Sequence, residues 1–398
     1  MSARARRVST RKVAGPSSLT LPASKRRRED SSDSTNKHAG SLPVEGGSAD
    51  AGDPKSEAGQ TRVKHYTSSV VMVQVPEGYS FSQAACSYGY YMVPPNLWKP
   101  GKDAPDSGTF SRPLRFGPRL VDTASCTISQ VPSSGKAPTP KHGAGGGGQQ
   151  TATALRVDVV STRALTESDE EDIRSQVVRM FQTTTDLTSW FRLNAEAEKR
   201  GYGRLFRSPT VFEDMVKSIT GCNMKFQGTI RMNKLLCAEF GRCGAFPTPE
   251  DLEGVQADDL KEKAKVGYRA DRILRLAQSF RDGTVDPDWL EAPERTREEV
   301  LTFVKNLHGF GDYAAGNVAM LLGFYEDVPM DSETVRHFKD YHGVTTKTTK
   351  EVAPRVKKEY EKYAPYQFLQ YWYEMVKWHE EKRGLKVHLW DASEFATF

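Results

Sequence analysis

Between Leu307 and Asp331 the chain reads L-H-G-F-G-D-Y-A-A-G-N-V-A-M-L-L-G-F-Y-E-D-V-P-M-D, a stretch whose residue types could do chemistry. Gly309 and Gly311 make a tight turn in which both can adopt positive φ and leave their backbone N–H groups uncovered. With the free N–H groups that open the helix at Tyr313, they form a concavity, Phe310 at its centre, suited to one or two DNA phosphates. Backbone donors hold phosphate whatever the base sequence, which suits a protein that scans DNA. On spacing alone, an ordinary glycine bend between two helices of a bundle fits equally well. The carbonyls of Leu307, Phe310 and Gly311 could hold a monovalent cation, K+ or Na+, that shares the phosphate charge, and His308 reads as an exposed turn residue. Asp331, two residues past Pro329, is either a catalytic carboxylate or the N-cap of a helix starting at Ser332, or both.

The elements that must position this stretch can be read in order. Residues 1–62 are rich in Ser, Gly, Ala, Lys and Arg and show no helical or strand period, so they are expected to be a disordered basic tail. Its Lys25-Arg26-Arg27-Arg28 block reads as a nuclear import signal or a phosphate-binding arm, with an organelle-targeting start as the alternative. Residues 63–185 are expected to form an antiparallel sheet domain. Strands are predicted at His65–Val75, around Tyr90–Trp98, at Phe110–Phe116, across Leu114–Ile128 and at Thr153–Val160, and the Gly- and Pro-rich run 131–150 is a disordered insertion. A helix at Glu167–Phe181 opens on an acidic turn.

Residues 186–390 are read as helical. Ser208 is the expected cap of a helix bearing Val211, Met215, Val216 and Ile219, which ends at Cys222 and Asn223. A second helix spans Phe226–Phe240, and Thr248 with Pro249 starts a third. Thr296 and Glu299 form a capping box for the helix entering the glycine turn, so a helix-hairpin-helix is placed at 296–323. The fold class is α+β, mostly helical, with an N-terminal antiparallel sheet.

Composition bounds the function. The net charge of +5 is too small to mark a nucleic-acid binder by itself. Five cysteines without close CxxC pairs read as reduced structural thiols in an intracellular protein, and no His and Cys set has zinc-ligand spacing. No apolar run reaches membrane-spanning length, and no signal-peptide core is present.

Several phrases together carry a more specific likeness. L-x-G-x-G-x-Y-A, V-P-M-D-S-E after it, R-S-P-T-V-F-E-D-M-V-K-S-I-T, F-P-T-P-E-D-L, V-G-Y-R-A-D-R-I and Y-Y-M-V-P-P-N-L-W resemble the helix-hairpin-helix DNA glycosylases, nearest to the alkyladenine (3-methyladenine) branch. The resemblance covers roughly residues 65–380. It implies a two-lobed glycosylase core that flips a damaged base, with Asp331 matching the essential acid that orients water and stabilises the cationic sugar as the N-glycosidic bond breaks. Bifunctional relatives carry a lysine where this chain has Tyr313, so the resemblance implies a glycosylase without lyase chemistry. Tyr313 then becomes a stacking wall for an electron-poor alkylated purine, or else a core tyrosine, and Tyr366 or Tyr371 could line the same pocket. Asn223 and Met224 match the loop that fills the gap left by the flipped base, although Asn223 could be only a helix C-cap. Arg269 and Arg336 are candidate phosphate contacts, with an ion pair as the alternative for each. The family's iron–sulfur cysteines have no counterpart. The implied partner is duplex DNA with a damaged base, bound by a monomer and followed by an abasic-site endonuclease. Oxidised guanine, a deaminated or mismatched base, or lesion binding without catalysis are the alternatives.

Overall fold

The computed structural model describes residues 66–102, 105–132 and 153–390; the basic tail, its Lys/Arg blocks and most of the predicted insertion lie outside the described residues. Five strands, β1 (Thr67–Gln74), β2 (Leu97–Lys99), β3 (Thr109–Phe116), β4 (Asp122–Pro132) and β5 (Thr153–Ser161), form one antiparallel sheet in the order β1-β5-β4-β3-β2. The alternation of Leu155, Val157 and Val159 sends these side chains into the core while Arg156 and Val160 face out. Leu114–Ile128 is not one strand. Gly117, at φ +76° and followed by Pro118, turns the chain back, so that Arg115 pairs with Thr123 and Phe116 with Asp122. Val131 and Pro132, assigned by composition to the insertion, finish β4.

The helices are α1 (Phe81–Ala85), α2 (Glu167–Phe181), α3 (Thr188–Leu193), α4 (Ala195–Arg200), α5 (Val211–Gly221), α6 (Phe226–Glu239), α7 (Ala257–Lys263), α8 (Arg269–Arg281), α9 (Pro287–Glu291), α10 (Arg297–Asn306), α11 (Asp312–Leu321), α12 (Ser332–Asp340), α13 (Thr349–Tyr360) and α14 (Gln367–Arg383). Thr210, not Ser208, caps α5 by accepting from the Glu213 N–H at 3.2 Å, while the Ser208 N–H donates to Asp214 Oδ1. Thr248 and Asp251 exchange the expected capping hydrogen bonds, but no helix follows. Asp251 also binds Arg115 at 2.6 Å, and Gly254, at φ +73°, breaks the run before α7.

Two hydrophobic cores result. One joins the sheet and α1–α4 to α12–α14; the other gathers α5, α8, α10 and α11 with the helices around them. Three buried ion pairs bridge the elements of the two cores: Arg112 of β3 to Glu213 of α5 at 2.8 Å, Arg115 of β3 to Asp251 at 2.6 Å, and Arg179 of α2 to Asp214 of α5 at 2.8 Å. In each pair the arginine comes from the sheet side. Burial alone would raise Glu213, but the charges and hydrogen bonds of Arg112 and Lys217 hold its carboxyl down to about 2. Among the described residues no helix is long and apolar enough to cross a membrane.

Candidate active site in the cleft

A cleft of about 1640 Å³ is lined from one side by α10, the glycine turn, α11 and the loop after α5, and from the other by Tyr88–Met92, the start of α12 and α14. The capping box of Thr296 and Glu299 starts α10, as the sequence indicates, and Leu307 ends it. Gly309 has φ +94°, and a Cβ there would fall 2.5 Å from Arg272 Cδ, so both the turn and its packing require glycine. Gly311 does not share that conformation. At φ −90° it is the N-cap of α11 with open space around it, and it supplies no side-chain cap. The first-turn N–H groups of α11 are therefore left for solvent or an anion. Phe310 is buried and anchors the turn in the second core.

The Leu307 carbonyl accepts from the Phe310 N–H and the Gly311 carbonyl from the Ala315 N–H, each keeping a second lone pair. Arg272 reaches the Gly309 carbonyl at 3.5 Å and stacks over Tyr268 at 4.9 Å, bringing a fixed positive charge to the turn. His308 is half exposed and lies 3.1 Å from Asp271.

Across the turn, Asp331 is the N-cap of α12. Its Oδ1 accepts from the Thr334 N–H at 2.9 Å and the Thr334 hydroxyl at 3.1 Å. Its Oδ2 accepts from the Tyr313 hydroxyl at 3.2 Å. The structure thus brings together Tyr313 and Asp331, which are 18 residues apart. One carboxylate oxygen is fixed by the cap and the other faces the phenol. Burial, and then the Asp331 charge, push the Tyr313 phenol well above its ordinary value, so it remains a donor at neutral pH and cannot serve as a base. Tyr371 hydrogen-bonds Thr334 at 3.2 Å, tying α14 to the same cap.

Tyr371 lines the cleft, whereas Tyr366 does not and lies instead against Trp190 at 6.1 Å. An aromatic wall at the sheet side went unassigned in the sequence: Tyr88 lies 4.9 Å from both Tyr90 and Trp372, and the Trp372 indole donates to the Ser87 carbonyl at 2.7 Å. Asn223 and Met224 sit exposed on the loop after α5, Asn223 at φ +50°. Gly228 leaves the space that Met224 occupies. Arg269 is buried and donates to the carbonyls of Ile219 and Cys222, so it fixes the end of α5 below that loop. Arg336 folds back onto Glu333 at 2.9 Å and over Trp378. Lys225 and Lys305 line the cleft, and both are exposed; Lys305 pairs with Asp312 at 2.7 Å. Burial, with Arg336 nearby, holds His379 at the cleft edge down to about 4, hence neutral at pH 7.

With the geometry established, known structures can be compared. The fold is similar to that of solved DNA glycosylases. The chain is similar to the 3-methyladenine DNA glycosylase from Archaeoglobus fulgidus, with a TM-score of 0.54 and 16% identity over 77% of this chain and 97% of that one. It is also similar to MBOgg1 in complex with a low-affinity DNA ligand, with a TM-score of 0.50 and 16% identity over 79% and 99% of the two chains. At these identities the likeness is one of fold. No family model and no curated protein matches the sequence.

Proposed function

We propose that this protein is a monofunctional DNA glycosylase that removes a flipped, damaged base, most readily an alkylated purine, and leaves an abasic site for a separate endonuclease. The observation that carries this reading is the hydrogen bond from Tyr313 to an Asp331 carboxylate fixed by the α12 cap, inside a cleft that also opens onto the α11 N-terminus.

In this reading the α11 amides and Arg272 hold a phosphate beside the extruded nucleotide, and Asn223 and Met224 enter the stack in place of the flipped base. Arg269 supports that loop from beneath, while Arg336 supports α12 through Glu333. The aromatic wall of Tyr88, Tyr90 and Trp372, facing Tyr313, favours a base that carries positive charge after alkylation. As the glycosidic bond lengthens, positive charge grows on the sugar; Asp331 stabilises it and orients the attacking water. Tyr313 cannot form a Schiff base, and the two cleft lysines are exposed rather than desolvated, which supports base removal without strand cutting. K+ or Na+ at the carbonyls of Leu307, Phe310 and Gly311 would share the phosphate charge beside Arg272, and no step of the reaction depends on it. The protein would act as a monomer, directed to the nucleus by its Lys25–Arg28 block.

The test uses duplexes with single defined lesions, assayed with and without alkali. Release of an alkylated purine, with strand breaks only after alkali, is the expected result. Strand breaks without alkali through a borohydride-trappable complex would overturn the monofunctional assignment, and release of oxidised guanine or a deaminated base alone would overturn the substrate class.

A further inference from the structure

Behind Asp331, away from the cleft, four electronegative side-chain atoms converge from α12, the turn after it, α13 and α14. The candidate ligand atoms of His337, His342 and Glu374 all lie within 4.8 Å of one another. Glu374 Oε2 is 3.3 Å from His337 Nε2, 3.0 Å from His342 Nε2 and 2.6 Å from the Tyr360 hydroxyl. The Tyr360 oxygen is in turn 3.4 Å from His337 Nε2 and 3.3 Å from His342 Nε2. A tetrahedral zinc ion with bonds of about 2.0–2.1 Å separates its donor atoms by roughly 3.3–3.4 Å, which three of these five distances match.

Glu374 Oε2 accepts from the Tyr360 hydroxyl and is also approached by both imidazole Nε2 atoms, so four potential ligand atoms share one small volume. The surroundings also suit a metal. Gln370 donates to Glu374 Oε1 at 2.8 Å, orienting the carboxylate as an outer-shell partner does. His337, Tyr360 and Glu374 are buried and His342 is partly open; a small surface hollow lined by Tyr341, Gln370 and Glu374 reaches the carboxylate and gives an entry path.

We propose that His337, His342, Glu374 and Tyr360 form a closed, structural zinc site that clamps α12, α13 and α14 together behind the α12 cap. The site is built from residues 337–374, so its spacing of one histidine five residues after another, with the carboxylate 32 residues further on, matches no compact zinc motif.

The experiment loads tag-free full-length protein with Zn2+, removes weakly held metal by gel filtration over a moderate chelator, and measures zinc per chain. About one zinc per chain is expected for the wild type and for Cys243→Ser, and a loss of most of it for His342→Ala, whose partial exposure makes it the mildest ligand change. X-ray absorption of the wild-type protein reads the ligands directly, whether or not the variant folds, and should show nitrogen and oxygen donors only. Zinc-free wild type after loading, equal zinc in His342→Ala, or sulfur in the coordination shell would each overturn the proposal.

Discussion

Against the sheet, packing is done by interlocked rings; along α11 of the hairpin it is done largely by small residues. Phe81 meets Trp98 at 5.7 Å and Phe181 at 5.1 Å, and Phe110 meets Phe181 and Phe206 at 5.2 Å each. In the second core α11 presents Ala314, Ala315, Val318 and Ala319, all buried, so that α5 and α10 can approach closely. Rings fill large volumes and adjust by tilting, whereas small residues fix the separation of helices and leave no room to adjust. Between the elements of these two apolar interiors runs a joint of buried arginine–carboxylate pairs.

The joint should be the most sensitive point. Glu213→Gln leaves Arg112 and Lys217 buried without their counter-charge, and is expected to cost about 3–5 kcal/mol in denaturant unfolding. A cost below about 1 kcal/mol would show that the two cores do not depend on it. The same carboxylate sets an acid limit. Its folded value near 2 is below the ordinary 4.5, so its contribution is complete above about pH 4.5 and is lost as pH falls through 2. Thermal midpoints measured from pH 6 to pH 2 should fall across that window, and less steeply in Glu213→Gln.

The contrast between the cores is tested next. Ala315→Leu forces a larger side chain between α11 and its neighbours and should cost about 1–3 kcal/mol, while Leu155→Met in the sheet core should cost under about 1.5 kcal/mol. Equal costs would remove the distinction. The smallest effect is expected for Tyr313→Phe, which keeps the ring and deletes the 3.2 Å hydrogen bond to Asp331. Base release should fall by roughly 3- to 10-fold, in line with about 0.5–1.5 kcal/mol for one hydrogen bond, with the unfolding midpoint nearly unchanged.

Local signals carried the legible part of the fold. The α2 boundaries, the Thr296–Glu299 capping box, the glycine turn and the Asp331 cap all follow from residues within a few positions of one another. The misses share a cause in long-range partners. Trp372 meets the Ser87 carbonyl from 285 positions away and the Tyr88 ring beside it, so no local pattern marks the aromatic wall. Arg112 and Arg115 lie on one strand, and their acids come from α5 and from Asp251, more than 100 positions away. Gly311 read as a second positive-φ glycine because spacing cannot tell a turn residue from the N-cap beside it. Arg272 gave no signal of its own, since its place against Gly309 depends on how α8 packs on the hairpin.

The central claim is that the Asp331 carboxylate performs chemistry as well as capping α12. Asparagine at this position keeps a side-chain oxygen for the Thr334 cap and removes the charge. Single-turnover release of an alkylated purine from a defined duplex should therefore fall at least about 100-fold in Asp331→Asn while DNA binding and the unfolding midpoint stay close to wild type. Unchanged release by Asp331→Asn would contradict the account.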